Sequence, residues 1–147
     1  MKIHFICRGN VFRSLIAETY LKSLNIESLE VMSSGTNVDL TSQTERGYFN
    51  NTIALLRKHH INQFSKKSPV QLTQDRANNI DLTICLNNRV YDEAINIVNL
   101  PADTSCWDID DIGEGHRVDT NNTSNYEEDI YQEIVTKVNQ LVKELGA

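Results

Sequence analysis

Three short apolar runs, IHFIC (3–7), LEVMSSG (29–35) and DLTICL (81–86), are each followed by a segment whose apolar residues fall at helical spacing. This alternation narrows the fold more than any other feature of the chain. A near-continuous apolar run is what a strand buried on both faces carries, and parallel strands need a helical crossover between them. An α/β fold with a parallel sheet covered on both faces is therefore expected. The crossover helices are expected at 14–24, at 44–60 (strongest over 51–59), at 72–79 with Thr73 as cap, and at 88–97. The first reads as amphipathic, through Leu15, Ile16, Tyr20, Leu21 and Leu24, with Ser14 as its N-terminal cap. An irregular stretch from 99 to 122 precedes a long closing helix at 125–145. Its apolar set Ile130, Ile134, Val138, Leu141, Val142 and Leu145 keeps to one face. With 147 residues and neither repeat nor linker, one domain spanning 1–147 is expected.

In such sheets ligands bind at the carboxyl ends of the strands. Cys7 stands at one, opening the segment CRGNVFRS (7–14) between strand and helix. A tight Gly-containing turn here points backbone amides at one spot, and the following helix adds its positive end. A thiol so placed is favoured as thiolate, also by a neighbouring guanidinium. Arg13 offers a planar two-donor fork suited to phosphate. The loop thus has the parts of an anion cradle with a nucleophile at its floor, fit to attack phosphorus. The plainer reading is a buried strand cysteine followed by a solvated arginine.

A cysteinyl-phosphate route also needs an acid for the leaving oxygen. CWDIDDIGEG (106–115) crowds Asp108, Asp110 and Asp111 after a short strand, where mutual repulsion can raise one of them. A solvated acidic loop or a divalent-cation site are the alternatives.

Composition removes several classes of function. The net charge of −6 argues against general nucleic-acid or anionic-membrane binding. The apolar runs are strand-sized, too short to span a bilayer, and no signal peptide is evident. Three cysteines form no even framework and suit a reducing compartment, so the cytoplasm is expected. The histidines, His4, His59, His60 and His116, form no metal-ligand pattern. Lys66 and Lys67 read most simply as a solvated loop.

Taken together, these segments resemble the low-molecular-weight protein tyrosine phosphatase family. CRGNVFRS matches every fixed position of its loop C-x-G-N-x-x-R-S after the first strand. LIAETYL is similar to its PIAE helix, SSGT (33–36) to its SAGT, DLTICL with Asn87 to its third strand, and DIDD (108–111) to its acid loop. The resemblance implies a small doubly wound sheet of four parallel strands with helices on both faces, without cofactor or metal. It implies Cys7 as nucleophile, Arg13 as clamp and Asp111 as general acid. Arg8, Gly9, Asn10, Val11, Phe12 and Ser14 complete the phosphate-binding loop, with Asn10, Ser14 and Ser33 holding it open by hydrogen bonding. Phosphotyrosine proteins or small aryl phosphates are the implied substrates, and a monomer or weak dimer the implied state.

The departures from the family pattern also carry expectations. Phe12 replaces a second loop cysteine, so the protective disulfide of many members cannot form. Leu15 and Ile112 replace prolines, which leaves Asp110 as the fallback acid. Arg8 is either a charge at the rim or solvated. Tyr48 and Phe49 are either the aromatic wall of the pocket or core residues. Lys66 falls near a position where the family carries a structural histidine. Two other functions stay open: arsenate reduction, which needs further cysteines to relay a disulfide, and a catalytically weak phosphate-binding regulatory protein.

Overall fold

The first strand, β1 (Lys2–Cys7), is buried from Ile3 onward and pairs in parallel on both edges. The computed structural model describes residues 1–38, 43–117 and 123–147. Its sheet runs β2-β1-β3-β4, all parallel, with β2 at Glu30–Gly35, β3 at Leu82–Cys85 and β4 at Ser105–Cys106. Strand order reverses at β1, so the crevice between the ends of β1 and β3 is the switch point where such sheets bind ligands. Cys7 closes β1 at that crevice. The four-stranded parallel α/β fold is the expected one.

Helices α1 (Arg13–Ser23), α2 (Gln43–Lys58), α3 (Gln74–Ala77), α4 (Asn88–Ile95) and α5 (Thr123–Leu145) follow, with a 3-10 turn at Asn62–Phe64. Helix α1 packs on β1 and β2 and against α5, whereas α4 packs on β3. Right-handed crossovers place α1 and α4 on opposite faces. The expected seam of α5 holds: Ile130, Ile134 and Val138 are buried and join β1, α1 and β3 in one core. Of the expected irregular stretch, 118–122 lie outside the described residues. Of two side-chain caps, the one at Thr73 is as read and the one at Asn87 was not anticipated. Thr73 caps α3 through its hydroxyl, and the Asn87 side chain accepts from Val90 N–H at the start of α4.

Two expectations for α1 need correction. The helix is not amphipathic: Arg13 through Thr19 are all buried, because α1 lies between the sheet, α5 and the turn at 62–64. Ser14 is not the cap either. Phe12 holds that position without a side-chain bond. A side-chain cap is worth about 1 kcal/mol, and Ser14 forgoes it to turn its hydroxyl onto Cys7.

Candidate active site

The loop from Cys7 to Arg13 is bent at Asn10, whose φ of 56° lies in the left-handed region that asparagine tolerates better than most residues. This bend turns the Asn10 N–H back onto the Cys7 sulfur at 3.3 Å. Gly35, at the end of β2, permits the approach of that strand: a Cβ there would stand 2.6 Å from the Arg8 carbonyl oxygen. Contacts this close exclude alanine unless the loop moves.

Beneath the loop, hydrogen bonds run in one direction. Asn10 donates through Nδ2 to Ser14 Oγ at 2.6 Å and to Ser33 Oγ at 2.9 Å. Ser33 in turn donates to the buried Glu18 carboxylate. Since Ser14 Oγ already accepts from Asn10, its own hydrogen is free for Cys7 Sγ, 2.9 Å away. The sulfur therefore faces two donors and no acceptor in this set.

The other side of Asn10 is held by a residue read most simply as solvated, though near the position of the family's structural histidine. Lys66 Nζ donates to Asn10 Oδ1 and, at 3.0 Å, to the Ser33 carbonyl, and lies 3.6 Å from Glu18. Lys66 is thus not solvated. Burial lowers it to about 8, although Glu18 pulls the other way. Arg76 completes the layer, donating to Ser34 Oγ and the Ser33 carbonyl. His4, fully buried against Ser34 Oγ at 2.8 Å, is pushed down to about 3 by burial and the nearby cations. Such a neutral histidine is a packing group. One signal for Glu18 was present in the sequence: it stands four residues after Ser14, on the same helix face.

Arg13 opens α1 and is 2% exposed. Its NH1 donates to the Ile109 carbonyl at 3.0 Å, and its NH2 lies 3.7 Å from Asp111 Oδ2. Its Nε is buried with no partner among the described residues. A buried guanidinium N–H without an acceptor is costly to leave unmet, and an anion in the loop would meet it. Arg13 and Asp111, 98 positions apart, are brought together by the turn after β4. Asp110 points elsewhere: Asn87 Nδ2 is 3.4 Å from its Oδ1, and its Oδ2 lies over Gly115.

Burial pushes the Asp111 carboxyl above the usual carboxylate range, against the opposing pull of Arg13. For Glu114 the balance falls the other way. Burial works against its charge, yet the Asp111 N–H, Arg13 and Arg89 together hold it below that range. One carboxyl is kept nearer its protonated form and its neighbour ionised. Environments that separate two carboxyls in this way mark acid and acceptor roles. Glu114, absent from the sequence-based set, lines a cavity of about 150 Å³ with Arg8, Arg13, Arg89, Glu93 and Asp111.

Arg8 stands exposed at this rim, 3.8 Å from Glu93. Tyr48 and Phe49 both pack with the core, Tyr48 only half-buried. Phe49 is a core residue with Val11 and Leu15. Tyr48 meets the Phe12 ring edge-on at 5.4 Å. Burial raises its hydroxyl, and the carboxylates of Glu127 and Asp111 raise it further, which puts Tyr48 on the Asp111 side. Val11 offers its carbonyl to the Thr52 hydroxyl at 2.5 Å, tying the loop to α2. Cys106 lies directly opposite Cys85 in the β3–β4 ladder, and is exposed where Cys85 is buried.

The sequence matches the family model for low molecular weight phosphotyrosine protein phosphatases over residues 2–147. No curated protein is significantly similar to it. Among solved structures, a low molecular weight phosphotyrosine phosphatase of Vibrio cholerae O395 superposes with a TM-score of 0.77 at 15% identity, covering 99% of this chain and 97% of the other. A Drosophila arginine phosphatase gives 0.71 at 19% identity, covering 100% and 99%. An arsenate reductase in a phosphate-bound state gives 0.62 at 18% identity, covering 97% of each.

Proposed function

The chain belongs to the low molecular weight phosphotyrosine protein phosphatase family, and on that premise we propose that it hydrolyses phosphotyrosine or aryl phosphate monoesters through a covalent phosphate on Cys7. The observation that carries this reading is the pairing, in one loop, of a sulfur faced by two donors with a buried guanidinium N–H that has no acceptor among the described residues. The Cys7 sulfur attacks phosphorus, and the bond from phosphorus to the phenolic oxygen breaks. Asp111 gives its proton to that oxygen as it departs. Water then attacks the cysteinyl phosphate, with Asp111 taking the proton back, and the sulfur leaves as thiolate. Arg13 holds the phosphoryl oxygens through both steps. The steps draw on side chains alone. Tyr48, half-buried and edge-on to the buried Phe12 ring, is the aromatic side chain proposed to meet an aromatic leaving group.

A second reading follows from Asp111 and Glu114 at the cavity mouth. Two carboxyls there suit a cationic leaving group, and phosphoarginine, the substrate class named for the Drosophila protein, carries one. Rates on phosphotyrosine and phosphoarginine separate the two. Arsenate reduction draws less support: Cys85 is buried and its thiol pushed up to about 12, chiefly by that burial, so it is a poor attacking group for a disulfide relay. All three cysteines are free thiols, in keeping with a reducing, cytoplasmic setting as part of the proposal. No described helix is long and apolar enough to cross a membrane.

Alkylation tests the cradle. Iodoacetate is expected to label Cys7, with inorganic phosphate slowing the reaction, and to leave Cys85 unmodified. Equal labelling of both, indifferent to phosphate, would remove the anion-site argument.

A further inference from the structure

The acid loop departs from the family pattern at Ile112, where a proline is usual, yet the structure shows it firmly tied. Glu114 makes the ties. Its Oε1 accepts from the Asp111 backbone N–H at 2.8 Å, with Asn87 Nδ2 at 3.4 Å from the same oxygen. Its Oε2 accepts from Arg89 NH1 at 2.9 Å, and Arg13 NH1 lies 3.9 Å from Oε1. Both anchors belong to the start of α4. Asn87 caps α4, its Oδ1 accepting from Val90 N–H at 3.0 Å, and Arg89 stands in the first turn of that helix. The Asp111 carboxyl is then oriented at both oxygens. Oδ1 accepts from the Ile112 N–H at 2.8 Å, a donor that a proline would lack, and Oδ2 faces Arg13.

We propose that Glu114 is a positioning residue: anchored to the start of α4, its carboxylate fixes the Asp111 backbone so that the Asp111 carboxyl faces the phosphate clamp. The proposal rests on Asp111 being the acid, as above. Without the Glu114 carboxylate the loop keeps the Arg117 bond to the Asp110 carbonyl and its own backbone bonds, Glu114 N–H to the Asp111 carbonyl and Gly113 N–H to the Arg117 carbonyl, but the Asp111 N–H loses its acceptor and the Asp111 carboxyl its fixed direction. Displacement of a reacting group by about 1 Å can cost on the order of 10²-fold in rate.

The test is a cycle of Glu114→Ala and Asp111→Asn, read on phenyl phosphate and on p-nitrophenyl phosphate. Glu114→Ala is expected to lower kcat on phenyl phosphate by about 10- to 100-fold, and on p-nitrophenyl phosphate, whose leaving group needs little protonation, far less. Glu114→Gln, which keeps an acceptor for the Asp111 N–H, is expected to recover most of that loss. In the Asp111→Asn background Glu114→Ala should add nothing, as a residue acting through Asp111 requires. Equal losses on both substrates, or a full further loss in that background, would show Glu114 acting on Arg13 or on stability and overturn the proposal. Should the alanine variant fail to fold, the cycle with Glu114→Gln must show the same dependence on leaving group at smaller size, or the proposal falls. Leaving-group dependence in Asp111→Asn without any in the Glu114 variants removes this inference alone. Its absence in Asp111→Asn removes the acid assignment first.

Discussion

Arg13→Lys is expected to lose on the order of 10²-fold or more in kcat/KM on p-nitrophenyl phosphate, though the charge is kept. The scale is that of removing a preorganised oxyanion donor. The native guanidinium donates to the Ile109 carbonyl and faces the Asp111 carboxylate, and its buried Nε, without a partner among the described residues, is the donor proposed for the incoming phosphate. An ammonium is a point charge on a flexible stem and cannot present two parallel donors in a fixed plane. In a site 2% exposed, the lysine would satisfy the carbonyl or the phosphate, not both. Steady-state kinetics and inhibition by vanadate check this. Vanadate should weaken alongside kcat/KM, since both depend on the same fork. Turnover near that of the native protein would mean that Arg13 does not hold the phosphate.

The second large effect concerns the proton donor. Asp111→Asn is expected to slow phenyl phosphate by about 10²–10⁴-fold, and p-nitrophenyl phosphate much less. The sign of the pH dependence follows from the environment. Burial raises the Asp111 carboxyl above the usual range, so the acid form persists to higher pH than in a free aspartate. Activity should fall as pH rises through that raised value, and this alkaline limb should flatten in Asp111→Asn. Asp110→Asn should do neither, because its carboxylate is turned to Asn87 and Gly115, away from Arg13. If the two variants exchange behaviour, Asp110 is the donor and the resting geometry of the loop is not the working one.

How much of this the sequence disclosed depends on chain distance. The alternation of apolar runs and helical spacing was enough for the parallel sheet, since buried strands and crossover helices leave local patterns. Cys7, Arg13 and the turn at Gly9 and Asn10 were legible because one contiguous loop carries them, whereas Ser14 was read there as a helix cap and its bonding to the loop followed from the resemblance. Ser33 came only through the resemblance, which also singled out Asp111 among the three acids already suspected in its loop, for nothing local ties either to Cys7. Lys66 was read as solvated because a lysine beside another lysine in a loop ordinarily is; only folding places it under Asn10, 56 positions away. Glu114 was hidden for the same reason, being one more acid in an acidic, glycine-flanked loop. Helix α1 misled through its composition. Glu18 and Thr19 look like a polar face, yet Glu18 terminates a buried chain of hydrogen bonds, and Thr19 returns its hydroxyl to the Leu15 carbonyl. Buried polar residues with internal partners cannot be told from exposed ones by periodicity.

The central claim is a phosphoryl group carried on Cys7. Asp111→Asn should let that species accumulate with p-nitrophenyl phosphate, because its formation needs little acid while its hydrolysis still needs a base. Rapid acid quench of the reaction, followed by digestion and mass spectrometry, is the direct measurement. The account predicts one added phosphoryl group on the peptide containing Cys7, lost when inorganic phosphate has formed and absent in Cys7→Ala. An unmodified Cys7 peptide sampled during steady turnover, or turnover that survives in Cys7→Ala, would contradict it.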